Sequence, residues 1–398
     1  MSAYVLAWLD LVVRWFHFTA GIAWIGTSFY FVWLDDNLTR PRPAKNDAGV
    51  AGELWSVHGG GFYHNEKYAT GPSAQPLPEN LHWFKWEAYS TWLSGVAMLA
   101  IVYWAGATTF LIDRSVLALS PWQAIVISFG SLVVGWVVYD ALCHLLEKKP
   151  IVLGVAIFVF LTFCAWGLSH IFSAQAAYLH VGAIMGTIMV ANVAHVIIPG
   201  QKKMVAQIRA GMQPDPRPGL LGKMRSVHNT YLTLPVLFTM ISAHYPMAYA
   251  NRYGWLILAA LGIAGVMVRR FFILSHERYG KRLVWALPAC ALVLVGAAAF
   301  AVVPRRSASL PPVAFATVAP IFAQRCAVCH SSHPTEPGFS SAPDGVLLDS
   351  PAHIQENASR VEQEAVTTHA MPLGNVTGMT DAERAQIGAW IAQGARRR

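Results

Sequence analysis

The chain has 398 residues, 55% hydrophobic and only 13% charged, with 29 Lys and Arg against 21 Asp and Glu and a formal charge of +8. That charged fraction is about half of the ~25% usual for soluble domains, too little polar cover for an ordinary water-soluble enzyme, a disordered chain or a nucleic-acid-binding one. The bilayer is the expected solvent, and five cysteines in this length exclude a disulfide scaffold.

In chain order, eight apolar stretches are candidates to cross a hydrocarbon core of ~30 Å, which takes roughly 20 helical residues. They are 8–34, 86–105, 121–145, 151–172, 174–198, 227–243, 255–268 with an interfacial extension, and 283–303. The first is too long for the h-region of a signal peptide and lacks its small-residue cleavage site, so it reads as a retained helix. Lys and Arg set the orientation. Eighteen of the 29 lie in connections after the odd stretches, among them Arg42, Lys45, Lys148, Lys149, Arg278 and Lys281, whereas Arg114 and Arg252 alone lie in the connections after the even ones. This predicts an amino terminus outside, odd connections in the cytoplasm and everything beyond residue 303 outside.

The expected fold is all-α: a polytopic membrane domain of eight transmembrane helices at 1–303, with a long cytoplasmic connection at 36–85. A proline-rich linker at 304–311 and a small soluble domain at 312–398 follow. Residues 304–398 hold eight basic and eight acidic residues. The net charge therefore resides on the cytoplasmic face, where it attracts anions.

Within the first stretch, Asp10 and Arg14 are one turn apart and are expected to pair. His17 is followed by small residues, Ala20, Gly21 and Gly26, and is a candidate haem ligand. Ionisable residues in spans are functional suspects by default. The outer half holds His17, His170, His180 and His244; the inner half holds His144, His195, His228 and, at the interface, His276. His180 and His195 are 15 residues apart, about 22 Å along one helix and about 60° around it. That spacing suits one ligand for each of two stacked haems. His17, His144, His180, His195 and His244 are thus candidate ligands for one or two membrane haems of the b type. The plainer reading is that each hydrogen-bonds a neighbour, such as Asn192 near His195 or Asp140 near His144. Gly182 and Gly186 read as a helix-packing pair, and Cys143, Cys164 and Cys290 as apolar fillers.

The long connection carries His58-Gly-Gly-Gly-Phe-Tyr-His64 and then Leu81-His82-Trp83-Phe84-Lys85-Trp86-Glu87. Aromatic rings, glycines that permit close backbone approach and titratable groups suit a planar polar substrate; the alternative is an amphipathic segment lying on the membrane. Gln201, Lys202 and Lys203, and Arg225, Ser226, His228 and Asn229, bring amide, hydroxyl and cationic groups to the same side and are expected to clamp an anion.

The soluble domain carries the sharpest chemistry. Cys326-Ala-Val-Cys329-His330 is the c-type haem attachment pattern, in which both thiols add to the porphyrin and the histidine is the proximal iron ligand. Met371-Pro372 supplies the expected sixth ligand, with Met379 and His369 as competitors. Residues 318–326 read as a short helix, 331–368 as mostly loop, and 381–394 as an amphipathic helix with a Thr380/Glu383 capping box and Ile387, Trp390 and Ile391 on its apolar face. Residues 312–398 resemble a class I cytochrome c domain, which is assembled outside the cytoplasm.

Taken together, the Trp24-Ile-Gly26 region, the His-Gly-Gly-Gly-Phe-Tyr loop, the 81–87 segment, the 225–235 run and the haem c tail resemble the bacterial membrane-bound urate oxidases, also called urate hydroxylases. The resemblance implies an enzyme of the bacterial inner membrane that oxidises urate to 5-hydroxyisourate. Electrons would pass to the periplasmic cytochrome and on to a respiratory cytochrome or cytochrome oxidase, without peroxide. It implies His58, His82, Glu87, Arg225 and His228 as catalytic residues, and Trp83, Gln201 and Asn229 as substrate-binding ones. Cys326, Cys329, His330 and Met371 would hold one haem c. The alternative from another class is a membrane cytochrome subunit that serves a separate dehydrogenase.

Overall fold

In the computed structural model, residues 3–41, 49–72, 76–276, 284–303, 311–337 and 339–397 are described. Arg42, Lys45, Arg278, Lys281, Arg282 and linker residues 304–310 lie outside them, as does the side chain of His276.

The chain is mostly helical, and helices cover all eight apolar stretches. In order these are α1 (Ala3–Asn37), α2 (Trp86–Met98), α3 (Pro121–Leu146), α4 (Pro150–Ser169), α5 (Ala174–Ala191), α6 (Ile198–Arg209), α7 (Arg217–Ile241), α8 (Gly254–His276) and α9 (Ala286–Ala301). Among the described residues five helical runs are long and apolar enough to cross a membrane: Tyr4–Asn37, Pro121–Leu146, Pro150–Ser169, Ala174–Arg209 and Gly254–Ser275. Their outward faces keep large apolar side chains uncovered, Trp15 at 73%, Phe163 at 62% and Val137 at 57% exposure among them. An uncovered apolar surface of that size is compatible with a bilayer.

Helix α5 is the axis of the bundle. It packs on α3, α4 and α7, and α7 in turn on α8. Its contact with α7 is close because a Cβ at Gly182 would lie 2.1 Å from the Thr239 hydroxyl, whereas Gly186 has nothing within 4 Å. Of the expected glycine pair, only Gly182 serves packing. Arg14 pairs with Asp10 at 2.8 Å, as expected.

Among the described residues four segments are wound wider than an α-helix, with i→i+5 bonding: Leu99–Trp104 and Ala107–Leu111 after α2, Asn192–Ile197 between α5 and α6, and Glu362–Thr367 near the C-terminus. Such turns recur at functional sites.

One expectation is overturned outright. The chain is not all-α, because the long connection folds as a β-hairpin, β1 (Val50–His58) against antiparallel β2 (Gly61–Tyr68). The cause is local. Gly59 and Gly60 have φ of +58° and +79°, the left-handed pair that a two-residue hairpin turn requires. The glycines serve that turn rather than ligand approach.

The remaining described residues form a separate small core. It contains α10 (Phe315–Arg325), α11 (Pro351–Glu356), α12 (Ala358–Val361) and α13 (Asp381–Ala392). Val318, Phe322, Ile387 and Trp390 fill it, each at most 2% exposed. The capping box of α13 is formed by Thr380 and Glu383 as the sequence indicates. The segment expected to be mostly loop instead carries α11 and α12, since Ser350 caps the first on the backbone N–H of His353.

Candidate functional site

Among the described residues a buried polar network joins α3, α7 and the wide turn after α5, at the end of the bundle that carries Lys148, Lys149, Lys202 and Lys203. Arg225, 3% exposed, donates from Nη2 to Asp140 at 2.6 Å and from Nη1 to Asn192 at 3.3 Å. The Asn192 amide donates to the Tyr139 hydroxyl at 2.9 Å and to Asn229 Oδ1 at 2.8 Å, while the Asn229 amide donates to the Met189 carbonyl at 3.0 Å. Tyr139 shares a 2.8 Å hydrogen bond with His228 Nδ1, and the Cys143 thiol lies 3.9 Å from the same nitrogen. The guanidinium lies 5.1 Å from the Tyr139 ring centre and 5.8 Å from that of Trp136.

Each member owes its place to helical spacing. Trp136, Tyr139, Asp140 and Cys143 fall three to four residues apart on one face of α3, and Arg225, His228 and Asn229 do the same on α7. The network satisfies almost every polar atom it buries. The exception is Arg225 Nε, which is buried without a hydrogen-bond partner. Its cost is one to a few kcal/mol. A second orphan, Glu87 Oε2, lies at the start of α2. There Ala88 and Trp83 pack on Val190, Val193 and Ile198, the other side of the same wide turn. His228 also lines an apolar cavity of about 390 Å³ between α4, α5, α7 and α8.

Of the residues marked in the sequence, the network unites Arg225, His228 and Asn229. Glu87 and Trp83 flank the wide turn from α2. His58 is exposed at the hairpin end, His82 is exposed and rings against Phe84 at 4.5 Å, and Gln201 is exposed on α6; the network includes none of the three. Tyr139 and Trp136 were not marked at all, and Asp140 and Asn192 only as neighbours of histidines. The signal for them was the run of polar or aromatic residues every three to four positions in an otherwise apolar span.

The candidate haem-ligand histidines sit in different surroundings. His180 is fully buried, with Nε2 on the Ser128 hydroxyl at 2.6 Å and Nδ1 on the Ala176 carbonyl at 2.7 Å. His195 is exposed instead, 6.0 Å from the Trp136 ring. The common face expected for the two fails because His195 lies within the wide turn, where an extra residue rotates the helix by roughly 100°. His17 Nδ1 bonds the Thr91 carbonyl at 2.9 Å and the Ser94 hydroxyl at 3.0 Å, which ties α1 to α2. His144 Nδ1 bonds the Asp140 carbonyl at 2.8 Å, and His144 and His244 are both exposed.

The C-terminal motif does fit a covalently held haem. Cys326 and Cys329 are unpaired thiols at the end of α10. Burial pushes the first up to about 12 and the second to about 11, unlike the lowered thiolate of a redox-active dithiol. His330 Nδ1 lies 3.1 Å from the Val346 carbonyl, an orientation that leaves Nε2 for a metal and fixes the ring. Met371 is half-buried at the margin of the core, its carbonyl held by Arg384 at 2.5 Å. Met379 is 3% exposed and its backbone is tied to the Asn375 side chain, while His369 is exposed.

Fold and site together define a mostly helical protein with several apolar helices of membrane-spanning length, built around a buried arginine–carboxylate–imidazole network. More particularly, the family model described as urate oxidase N-terminal matches residues 3–302, and the chain belongs to that family of oxidoreductases. The match stops short of the C-terminal domain. No curated protein and no solved structure matches the chain.

Proposed function

We propose that this is an integral enzyme of the bacterial inner membrane that oxidises urate to 5-hydroxyisourate at its cytoplasmic, Lys/Arg-rich end. Electrons leave through the C-terminal domain toward the respiratory chain, without peroxide. The observation that supports it best is the unpartnered Nε of buried Arg225, in a chain of the urate oxidase family. Urate is a flat monoanion at neutral pH. It offers carbonyl acceptors to a guanidinium whose own charge is already balanced by Asp140, so binding does not depend on creating a new buried ion pair.

The reaction balances as urate monoanion plus water giving 5-hydroxyisourate, one proton and two electrons. The residues supply its parts as follows. Arg225 Nε and the Asn229 side chain orient the ring by hydrogen bonds, and Trp136 and Tyr139 provide flat apolar walls. In the tautomer that donates from Nδ1 to the Tyr139 oxygen, His228 Nε2 is a free base and takes the proton. The Tyr139 hydroxyl and Asn192 amide hold that imidazole in place. A haem held by Cys326, Cys329, His330 and Met371 would supply a one-electron acceptor.

The test is direct. Adding urate to the purified, oxidised holoprotein in detergent should reduce the haem c and consume urate with no peroxide formed. A haem that stays oxidised in the presence of urate overturns the reading and leaves the protein as a carrier for some other donor.

A further inference from the structure

The C-terminal domain rests on the membrane bundle through the loop that follows Met371. The turn Leu373–Asn375 packs on the wide turn Ala107–Leu111. At Gly374 φ is +57°, and a Cβ would lie 2.5 Å from the Ile112 carbonyl oxygen and 3.0 Å from that of Thr109. Two stretches of bare backbone therefore touch where no side chain fits. Beside them the Phe110 ring is 6.0 Å from that of Phe339, and Ala370, one residue before Met371, is 9% exposed within the core of the bundle.

The platform under this contact is stiff. Leu111 and Ile112 are buried, and Ser173, the cap of α5, ties the turn down. Its backbone N–H donates to Leu111 O at 3.0 Å and its hydroxyl to Phe110 O at 2.9 Å. Behind Phe110 the rings continue inward, to Tyr103 at 6.4 Å and from there to His180 at 6.2 Å.

A carrier that meets a soluble donor must leave its entry face open, whereas one fed from its own chain gains from a fixed, short contact at high effective concentration. We propose that the 371–375 loop is the electron-entry face of the C-terminal domain, docked on Ala107–Leu111 by Gly374 and Phe110, so that the domain is charged from within its own chain. This rests on the reaction proposed above. Two electrons leave each urate and cross the contact singly, and an outer acceptor of the respiratory chain removes each in turn. Gly374, Phe110 and Phe339 are positioning residues: they set the approach and touch neither substrate nor the reacting atoms.

The experiment compares Gly374→Val and Phe110→Ala holoproteins with the parent, together with a Phe110→Cys/Phe339→Cys pair. Docking predicts that urate-driven haem reduction slows roughly tenfold or more in both single variants. Reduction by ascorbate and the Met–iron absorption band should stay unchanged, and the cysteine pair should cross-link on mild oxidation. If Gly374→Val loses the Met–iron band, the loop itself has failed and Phe110→Ala, which leaves the C-terminal domain untouched, decides. Wild-type reduction rates in Phe110→Ala with no cross-link in the cysteine pair overturn the proposal. Should the parent protein not respond to urate at all, the reaction falls, while the cross-link still decides the docking.

Discussion

His180 and Asn192 belong to one continuous helical rod, yet the two ends of that rod are built on opposite rules. At the His180 end the polar atoms are answered: His180 is enclosed by Ser128, Ala176, Phe172 and Tyr103, and Ser128 also accepts from the Trp104 indole at 2.8 Å. At the Asn192 end the rod widens, and the network around Asn192 leaves Arg225 Nε unanswered. A buried histidine with two hydrogen bonds is architecture. A buried guanidinium with one donor to spare is a place for something else.

Substitutions that break the contrast rank by expected effect. Arg225→Met strips the site of its anion donor and leaves Asp140 without its partner. Urate-driven haem reduction should fall by more than about 100-fold and stability by about 3 kcal/mol, read by stopped-flow spectroscopy and by thermal unfolding in detergent. His228→Gln keeps a hydrogen bond to Tyr139 but loses the base; turnover should drop by about 100-fold with the melting temperature close to that of the parent. His180→Leu sharpens the contrast from the other end, since it leaves the Ser128 hydroxyl with the Trp104 indole as its one side-chain partner and costs about 1–3 kcal/mol of stability. The rate per folded molecule should be unchanged, and a loss of catalysis at wild-type stability would show that the outer histidine is chemical after all. Smallest is Gly60→Ala in the hairpin turn, about 1 kcal/mol from the left-handed backbone, with urate oxidation intact if the glycines serve the turn alone.

The helices were legible because apolar runs of this length leave few alternatives, and the α13 cap because Thr380 and Glu383 stand three apart at the head of an apolar face. Arg225, His228 and Asn229 were legible too, as a cationic and polar run at the entry of a span. Tyr139 and Asp140 were not, because a single tyrosine or aspartate in an apolar span gains meaning only when a partner from another helix is brought to it. The hairpin was misread for a related reason: Gly59 and Gly60 satisfy two different physical demands, ligand approach and positive φ, and only the register of Val50–His58 against Gly61–Tyr68 decides between them. The common face expected for His180 and His195 rested on a uniform step of 100° per residue, which the turn at Asn192–Ile197 interrupts.

That turn also bears on how the rod can change. An added residue inside a helix acts as a phase shifter: it decouples the rotational setting of one half from that of the other. Side chains before Ala191 answer to the neighbours they pack against, while those after it are free to point where the arginine needs an amide. Deleting one residue from 192–197 would restore a regular helix and leave both flanking halves in their present register, removing only the widened backbone beside Asn192. The same deletion within regular α5 would turn one half by about 100° against the other.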